Sequence, residues 1–186
     1  MKPTLRVVAL ALALALAAAA AAAAPAQALV TSDTTAGAPL WNRPVNLTTL
    51  SGVSTAVPFS VLPIAVSAAG SYDFRSTATG GWDNFTALYQ GSFSAAAPLS
   101  NIIAINDDFT VTPGTTSGFS AALATGLTYF FVTTGFSNTS FGSYSTSITG
   151  SGNVTAPVPE PATYGLMALG VAGMLLAARR RSAETV

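Results

Sequence analysis

The sequence contains no cysteine and no histidine. Their absence removes disulfides, thiolate nucleophiles, Cys/His zinc sites and every catalytic scheme built on an imidazole. Charge is scarce too, at 8% of 186 residues, seven basic and seven acidic. The even balance hides an asymmetry. Lys2, Arg6 and the run Arg179, Arg180, Arg181 stand at the extremities. Residues 29–157 keep only Arg43 and Arg75 against Asp33, Asp73, Asp83, Asp107 and Asp108, a net charge of −3. A chain without a basic face has nothing to neutralise phosphates, so a nucleic-acid partner is excluded. The only glutamates, Glu160 and Glu184, lie near the C-terminus. Serine and threonine are plentiful in the body but have no general base to activate them, so no nucleophilic enzyme is expected.

What is present at the ends is two hydrophobic addresses. Lys2 and Arg6 precede 18 uncharged apolar residues, 7–24, rich in Leu and Ala and so strongly helix-forming. Pro25 ends that run, and Ala26-Gln27-Ala28 supplies a small-x-small processing site. Basic region, apolar region and cleavage site in this order make a secretory signal, cut after Ala28 by signal peptidase once the Sec translocon has passed the chain. An uncleaved signal anchor is the alternative, because 18 residues approach the length of a membrane span.

At the other end Val158-Pro159-Glu160-Pro161 opens a segment whose residues 162–178 are uncharged and which closes on Arg179, Arg180 and Arg181. Seventeen helical residues rise about 26 Å, enough for a short transmembrane helix. The arginines hold its far end in the cytoplasm. Pro159 and Pro161 keep Glu160 in extended chain beside the membrane, in the form a protease takes. In layout this tail resembles the PEP-CTERM sorting signal of exopolysaccharide-producing Gram-negative bacteria. That resemblance implies recognition by a membrane-embedded exosortase, transient residence in the inner membrane, and delivery to the cell surface or an exopolysaccharide matrix. The same tail occurs on secreted proteins of many kinds, some ice-binding ones among them, so it is an address and carries no activity. A plain single-span anchor is the alternative.

Between the addresses lie 129 residues, 39 of them Ser or Thr, enough for one small core. Strand-forming runs fall at 56–66, 70–76, 85–90, 101–106, 118–123, 128–134 and 142–150, separated by turns such as Thr79-Gly80-Gly81 and Thr112-Pro113-Gly114. Tyr72 and Phe74, and Tyr144, Thr146 and Ile148, show the period-2 alternation of half-buried strands. The fold expected is all-β, a small antiparallel, jelly-roll-like β-sandwich at 55–150, flanked by the signal helix and the C-terminal transmembrane helix. Residues 29–54 read as a flexible arm, 151–158 as a linker, 159–181 as the sorting signal and 182–186 as a cytoplasmic tail. The order Ser71-Tyr72-Asp73-Phe74, Trp82-Asp83-Asn84-Phe85, Leu88-Tyr89, Asn106-Asp107-Asp108 and Leu127-Thr128-Tyr129 is similar to that of pre-peptidase C-terminal β-sandwiches. Such modules accompany secreted bacterial proteins.

Asp107 and Asp108 end an apolar strand and form the densest acidic group, with Asp83 and Asp73 as partners across the sheet. Hard carboxylate oxygens on loops suit Ca2+, which accepts irregular geometry and backbone carbonyls; the plain reading is a turn stabilised by Asx side chains. No other cofactor is implied. Trp82, Phe85, Tyr89 and Phe93 are the aromatics that stack on a sugar or fill the core, and Trp82, beside Gly80-Gly81, is the one placed for a ligand. The resulting expectation is a non-catalytic, exported surface or matrix protein. A glycan- or calcium-binding module is the alternative.

Overall fold

The computed structural model of the chain describes residues 26–109 and 114–156. The signal helix up to Pro25, the sorting motif Val158, Pro159, Glu160, Pro161, Arg179, Arg180 and Arg181, and the expected transmembrane helix lie outside the described residues. Ten strands carry the rest: β1 Leu29–Thr34, β2 Leu40–Trp41, β3 Val57–Val66, β4 Gly70–Ala78, β5 Asn84–Gln90, β6 Ile102–Asn106, β7 Thr116–Leu123, β8 Tyr129–Gly135, β9 Ser143–Gly150 and β10 Val154–Thr155. They form two antiparallel sheets. One runs β1-β9-β4-β7; the other runs β10-β3-β8-β5-β6, with β2 also on β3. The all-β sandwich expected from the turn spacing is what the described residues adopt.

Alternation decides which residues meet between the sheets. Tyr72 and Phe74 from β4, Leu88 from β5, Leu123 from β7, Tyr129 and Phe131 from β8 and Ile148 from β9 form one buried cluster. Phe74 and Phe131 lie with ring centroids 5.2 Å apart. The second sheet is apolar on its other face as well: Val57, Phe59, Ala87, Tyr89 and Val132 pack under Trp41, with Phe93 against them. Burial on both faces explains why β5 reads as a nearly unbroken buried run. Two covers close that outer face. One is the segment bearing Trp41; the other is the 91–100 loop, held where the Tyr89 hydroxyl donates to the Pro98 carbonyl at 2.7 Å.

Two sequence expectations need correction. Residues 29–54 are not a flexible arm: β1 pairs with β9 over six positions, from Leu29↔Ile148 to Thr34↔Ser143. β2 pairs with β3, and Trp41 is 3% exposed. The polar sequence of β1 hid an edge strand, in which four of the six residues are exposed and Asp33 is engaged by the Ser60 hydroxyl at 2.6 Å. Nor are residues 151–158 simply a linker. Val154 and Thr155 pair with Val66 and Ala65, and the Val154 side chain joins the core.

The outer edge of β3 is protected in its middle. Phe59 N–H donates outward to Pro39 and Ser67 N–H to Asn153. Position 63 faces the same way, and Pro63 has no N–H to offer an incoming strand. Toward one end of the sandwich the interior turns polar. Asn84 donates to the Ser76 hydroxyl at 3.0 Å, and Thr86 and Ser117 share a hydrogen bond of 2.7 Å, all four side chains buried. The apolar cluster therefore supplies the burial energy. Leu88→Ala, at a side chain with no exposure, is expected to cost about 2–5 kcal/mol in chemical denaturation. Thr77→Ala on the solvent face is expected to stay within about 0.5 kcal/mol.

Candidate functional site

Asp83 directly precedes β5, and Asp107 directly follows β6. The two strands are antiparallel neighbours with Thr86 opposite Asn106, so the start of one lies beside the end of the other. This register gathers Asp83, Asp107 and Asp108 into one cluster, with a carboxylate oxygen of each within 4.8 Å of the others. Gly114 ties the cluster together. Its N–H donates to Asp108 Oδ1 at 2.7 Å, and its carbonyl accepts from Asn84 N–H at 2.6 Å. At φ +107° this position favours glycine, and an added Cβ would lie 3.6 Å from the Asp83 carboxyl. Asp83 is fixed through its backbone, whose carbonyl accepts from Phe136 N–H at 3.0 Å. Asp83 Oδ1 and Asp107 Oδ1 are buried and have no hydrogen-bond partner among the described residues.

Arg43 supplies the opposing charge. It is 1% exposed, and its guanidinium donates to three backbone carbonyls: Nε to Gly135 at 3.0 Å, Nη1 to Pro44 at 2.9 Å and Nη2 to Phe136 at 2.8 Å. Its Cζ sits 3.7 Å over the Phe85 ring. Burial lowers the Arg43 pKa to about 10, opposed by the charges of Asp107 and Asp83. Burial, then Asp108 and Asp83, push the Asp107 carboxyl up to about 6, with Arg43 opposing. Asp83 is pushed up by burial and by Asp108, against the same arginine. Three carboxylates and one guanidinium leave a net charge of −2 when all are ionised. Like charges this close resist joint ionisation unless a cation joins them.

Of the residues singled out in the sequence, Asp83, Asp107 and Asp108 are brought together. Asp73 is not. It stands on the outer face of the four-stranded sheet, where its carboxylate accepts from the Ser120 hydroxyl. Trp82 is half-buried; its indole N–H donates to the Ser143 carbonyl at 3.0 Å, and its ring stands edge-on to Tyr144. Phe85 and Tyr89 are buried, and Phe93 packs on the outer cluster, so these three belong to the core. Sequence reasoning missed Arg43 and Gly114. The signal for Arg43 was its isolation, one of two cations in the whole body.

The donor set is all oxygen. Monodentate or bidentate carboxylates, with water or backbone carbonyls completing six to eight ligands, suit Ca2+ better than a softer metal. The two orphaned, buried oxygens fit such an ion, since each lacks the donor that burial normally demands.

Beyond the described residues, 157–181 match the PEP-CTERM protein-sorting motif. The chain carries a PEP-CTERM sorting tail. That tail marks an exported protein with a C-terminal membrane-anchoring segment and implies an exosortase as processing partner. No curated protein matches the chain. Among solved structures it is similar to the pre-peptidase C-terminal domain of a collagenase from Bacillus anthracis, with 13% identity, a TM-score of 0.41, and 68% of this chain and 99% of that one covered. It is also similar to CBM35 from Cellvibrio japonicus Abf62, with 16% identity, a TM-score of 0.38 and coverage of 70% and 97% respectively. A third likeness is to the K3 cleaved adhesin domain of Lys-gingipain from Porphyromonas gingivalis, with 13% identity, a TM-score of 0.32 and coverage of 65% and 91%.

Two outcomes follow for the carboxylate cluster. Arg43→Met strips three carbonyls of their donor and leaves the carboxylates uncompensated; a loss of about 3–5 kcal/mol is expected by denaturant titration. The second concerns pH. The folded pKa of Asp107, about 6, lies above the ordinary aspartate value of 3.8, so the folded chain holds that proton more tightly. Stability from this group is complete below about pH 4 and lost as pH rises through about 6. In the presence of a chelator the thermal midpoint is expected to fall across that window, and Asp107→Asn to flatten the fall.

Proposed function

We propose that this chain is an exported, non-catalytic surface or matrix protein. An exosortase cuts it near Pro159-Glu160-Pro161, and Ca2+ bound by Asp83, Asp107 and Asp108 braces its β-sandwich. The match of residues 157–181 to the sorting motif is the observation that carries the export half of this reading. The convergence of three carboxylates within 4.8 Å, with two buried oxygens lacking partners among the described residues, supports the cation half. A non-catalytic role is supported by composition. The body offers no imidazole, thiol or glutamate to activate its abundant hydroxyls.

The chemistry assigned to the site is structural. A divalent ion cancels the net −2 of the cluster and links the start of β5 to the end of β6. It offsets the burial and the like-charge repulsion that together hold the Asp107 proton in place. The body then sits outside the inner membrane, at the cell surface or among exopolysaccharide chains, where calcium is plentiful and a low-charge, hydroxyl-rich surface is well solvated. Trp82, with its indole N–H already engaged by Ser143, offers a ring face to a glycan only in part. The glycan-binding alternative is the weaker one for that reason.

Two experiments test the reading. Millimolar calcium is expected to raise the thermal midpoint of the purified chain by several degrees, and Asp107→Asn combined with Asp108→Asn to abolish the rise. No shift in the unsubstituted chain would remove the cation half. Separately, intact masses of membrane and released fractions are compared with and without the exosortase. A released form ending near Glu160 only when the enzyme is present supports processing. A protein that keeps Arg179–Arg181 in the membrane in both strains is a plain anchored envelope protein.

A further inference from the structure

The two ends of the sandwich meet. Gln27 lies before β1 and forms two hydrogen bonds with the chain at β10, near the start of the sorting tail. Its N–H donates to Asn153 Oδ1 at 2.8 Å, and its carbonyl accepts from Val154 N–H at 3.3 Å. Neither partner is loosely held. Asn153 exchanges bonds with Ser67, through its own N–H to the Ser67 hydroxyl at 2.8 Å and its carbonyl to Ser67 N–H at 3.0 Å. Val154 is 6% exposed and packs in the apolar cluster. Gln27 is thus a structural residue of the sandwich, although the Ala26-Gln27-Ala28 site places it among the residues lost on export.

The sequence offers a second small-x-small site two residues earlier, Ala24-Pro25-Ala26. We infer that signal peptidase cuts after Ala26, so that the mature protein begins at Gln27. The inference rests on the export reading above. The argument is one of what each cut leaves behind. A cut after Ala28 removes Gln27, which orphans the N–H of a buried residue, Val154, and takes the donor from Asn153 Oδ1. It also places the new α-ammonium on Leu29, which is half-buried against the apolar cluster and paired with Ile148 in the first rung of β1. A cut after Ala26 places the ammonium on exposed Gln27, beside Asn153 Oδ1, where a charged donor strengthens the bond already present. The step itself is hydrolysis: water adds to the Ala26 carbonyl, the Ala26–Gln27 C–N bond breaks, and the amine leaves on Gln27.

The full chain is expressed in a Gram-negative host, and the N-terminal peptide of the exported protein is identified by mass. The expected peptide begins at Gln27, with or without the loss of ammonia by which an N-terminal glutamine closes to its lactam. Two substitutions separate the sites. Ala24→Phe blocks the small position needed only by the cut after Ala26, and is expected to abolish the Gln27 terminus. Ala28→Phe blocks only the later cut, and is expected to leave the terminus unchanged; Ala28 is exposed, so the fold tolerates it. A terminus at Leu29, or one that responds to Ala28→Phe and not to Ala24→Phe, overturns the inference while export stands. A protein that keeps Met1 in the membrane fraction is an uncleaved signal anchor and overturns the inference; one that keeps Met1 and stays in the cytoplasm overturns the export reading with it.

Discussion

A guanidinium buried without a carboxylate hydrogen-bonded to it is the constraint on which this end of the sandwich depends. Arg43 spends its donors on the carbonyls of Pro44, Gly135 and Phe136. It thereby fastens the chain after β2 to the end of β8. Stacked on Phe85, it covers the outer face of β5 where that face would otherwise be wet. The charge it brings inside is balanced only at a distance, by Asp83 and Asp107, and burial holds it there at a lowered pKa. The acidic cluster is in this sense the counter-charge of a structural arginine. Three carboxylates exceed that need by two, and the excess is what a divalent ion matches.

Most of the fold was readable because its strands obey simple periodicity. Tyr72-Phe74 and Tyr144-Thr146-Ile148 alternate cleanly, and they face the inter-sheet core. β5 defeats that rule, because both of its faces are covered and Asn84-Phe85-Thr86-Ala87-Leu88-Tyr89 is buried throughout. β1 was hidden for the opposite reason. Leu-Val-Thr-Ser-Asp-Thr buries little of itself, and only its six-position pairing with β9 makes it a strand. Short pieces such as β2 and β10 have no periodicity to read at two residues each; long-range partners define them.

The acidic site was half legible. Asp107-Asp108 is conspicuous in a chain with five body aspartates, and the β5–β6 hairpin register brings Asp83 to it. Asp73 showed the same residue type and failed, because its alternation points it to the outer face, where Ser120 satisfies it. No local pattern announces Arg43. Two of its three partners are 92 and 93 residues away, and all three are backbone carbonyls, which have no sequence signature.

The two halves of the molecule divide the work. An address read by membrane enzymes stands in the tail, and a sandwich of low charge, closed by proline on its β3 edge, makes up the body. The account rests most directly on the claim that the carboxylate cluster is a hard-cation site. Terbium, which takes calcium's oxygen ligands, emits when energy passes to it from a nearby excited indole, and Trp82 adjoins Asp83 in the chain. With tryptophan excited, green terbium emission is expected to appear on titration and to be displaced by calcium. It should vanish when Asp107→Asn and Asp108→Asn are combined. Terbium emission that is absent, or that survives both calcium and the double substitution, would contradict the account.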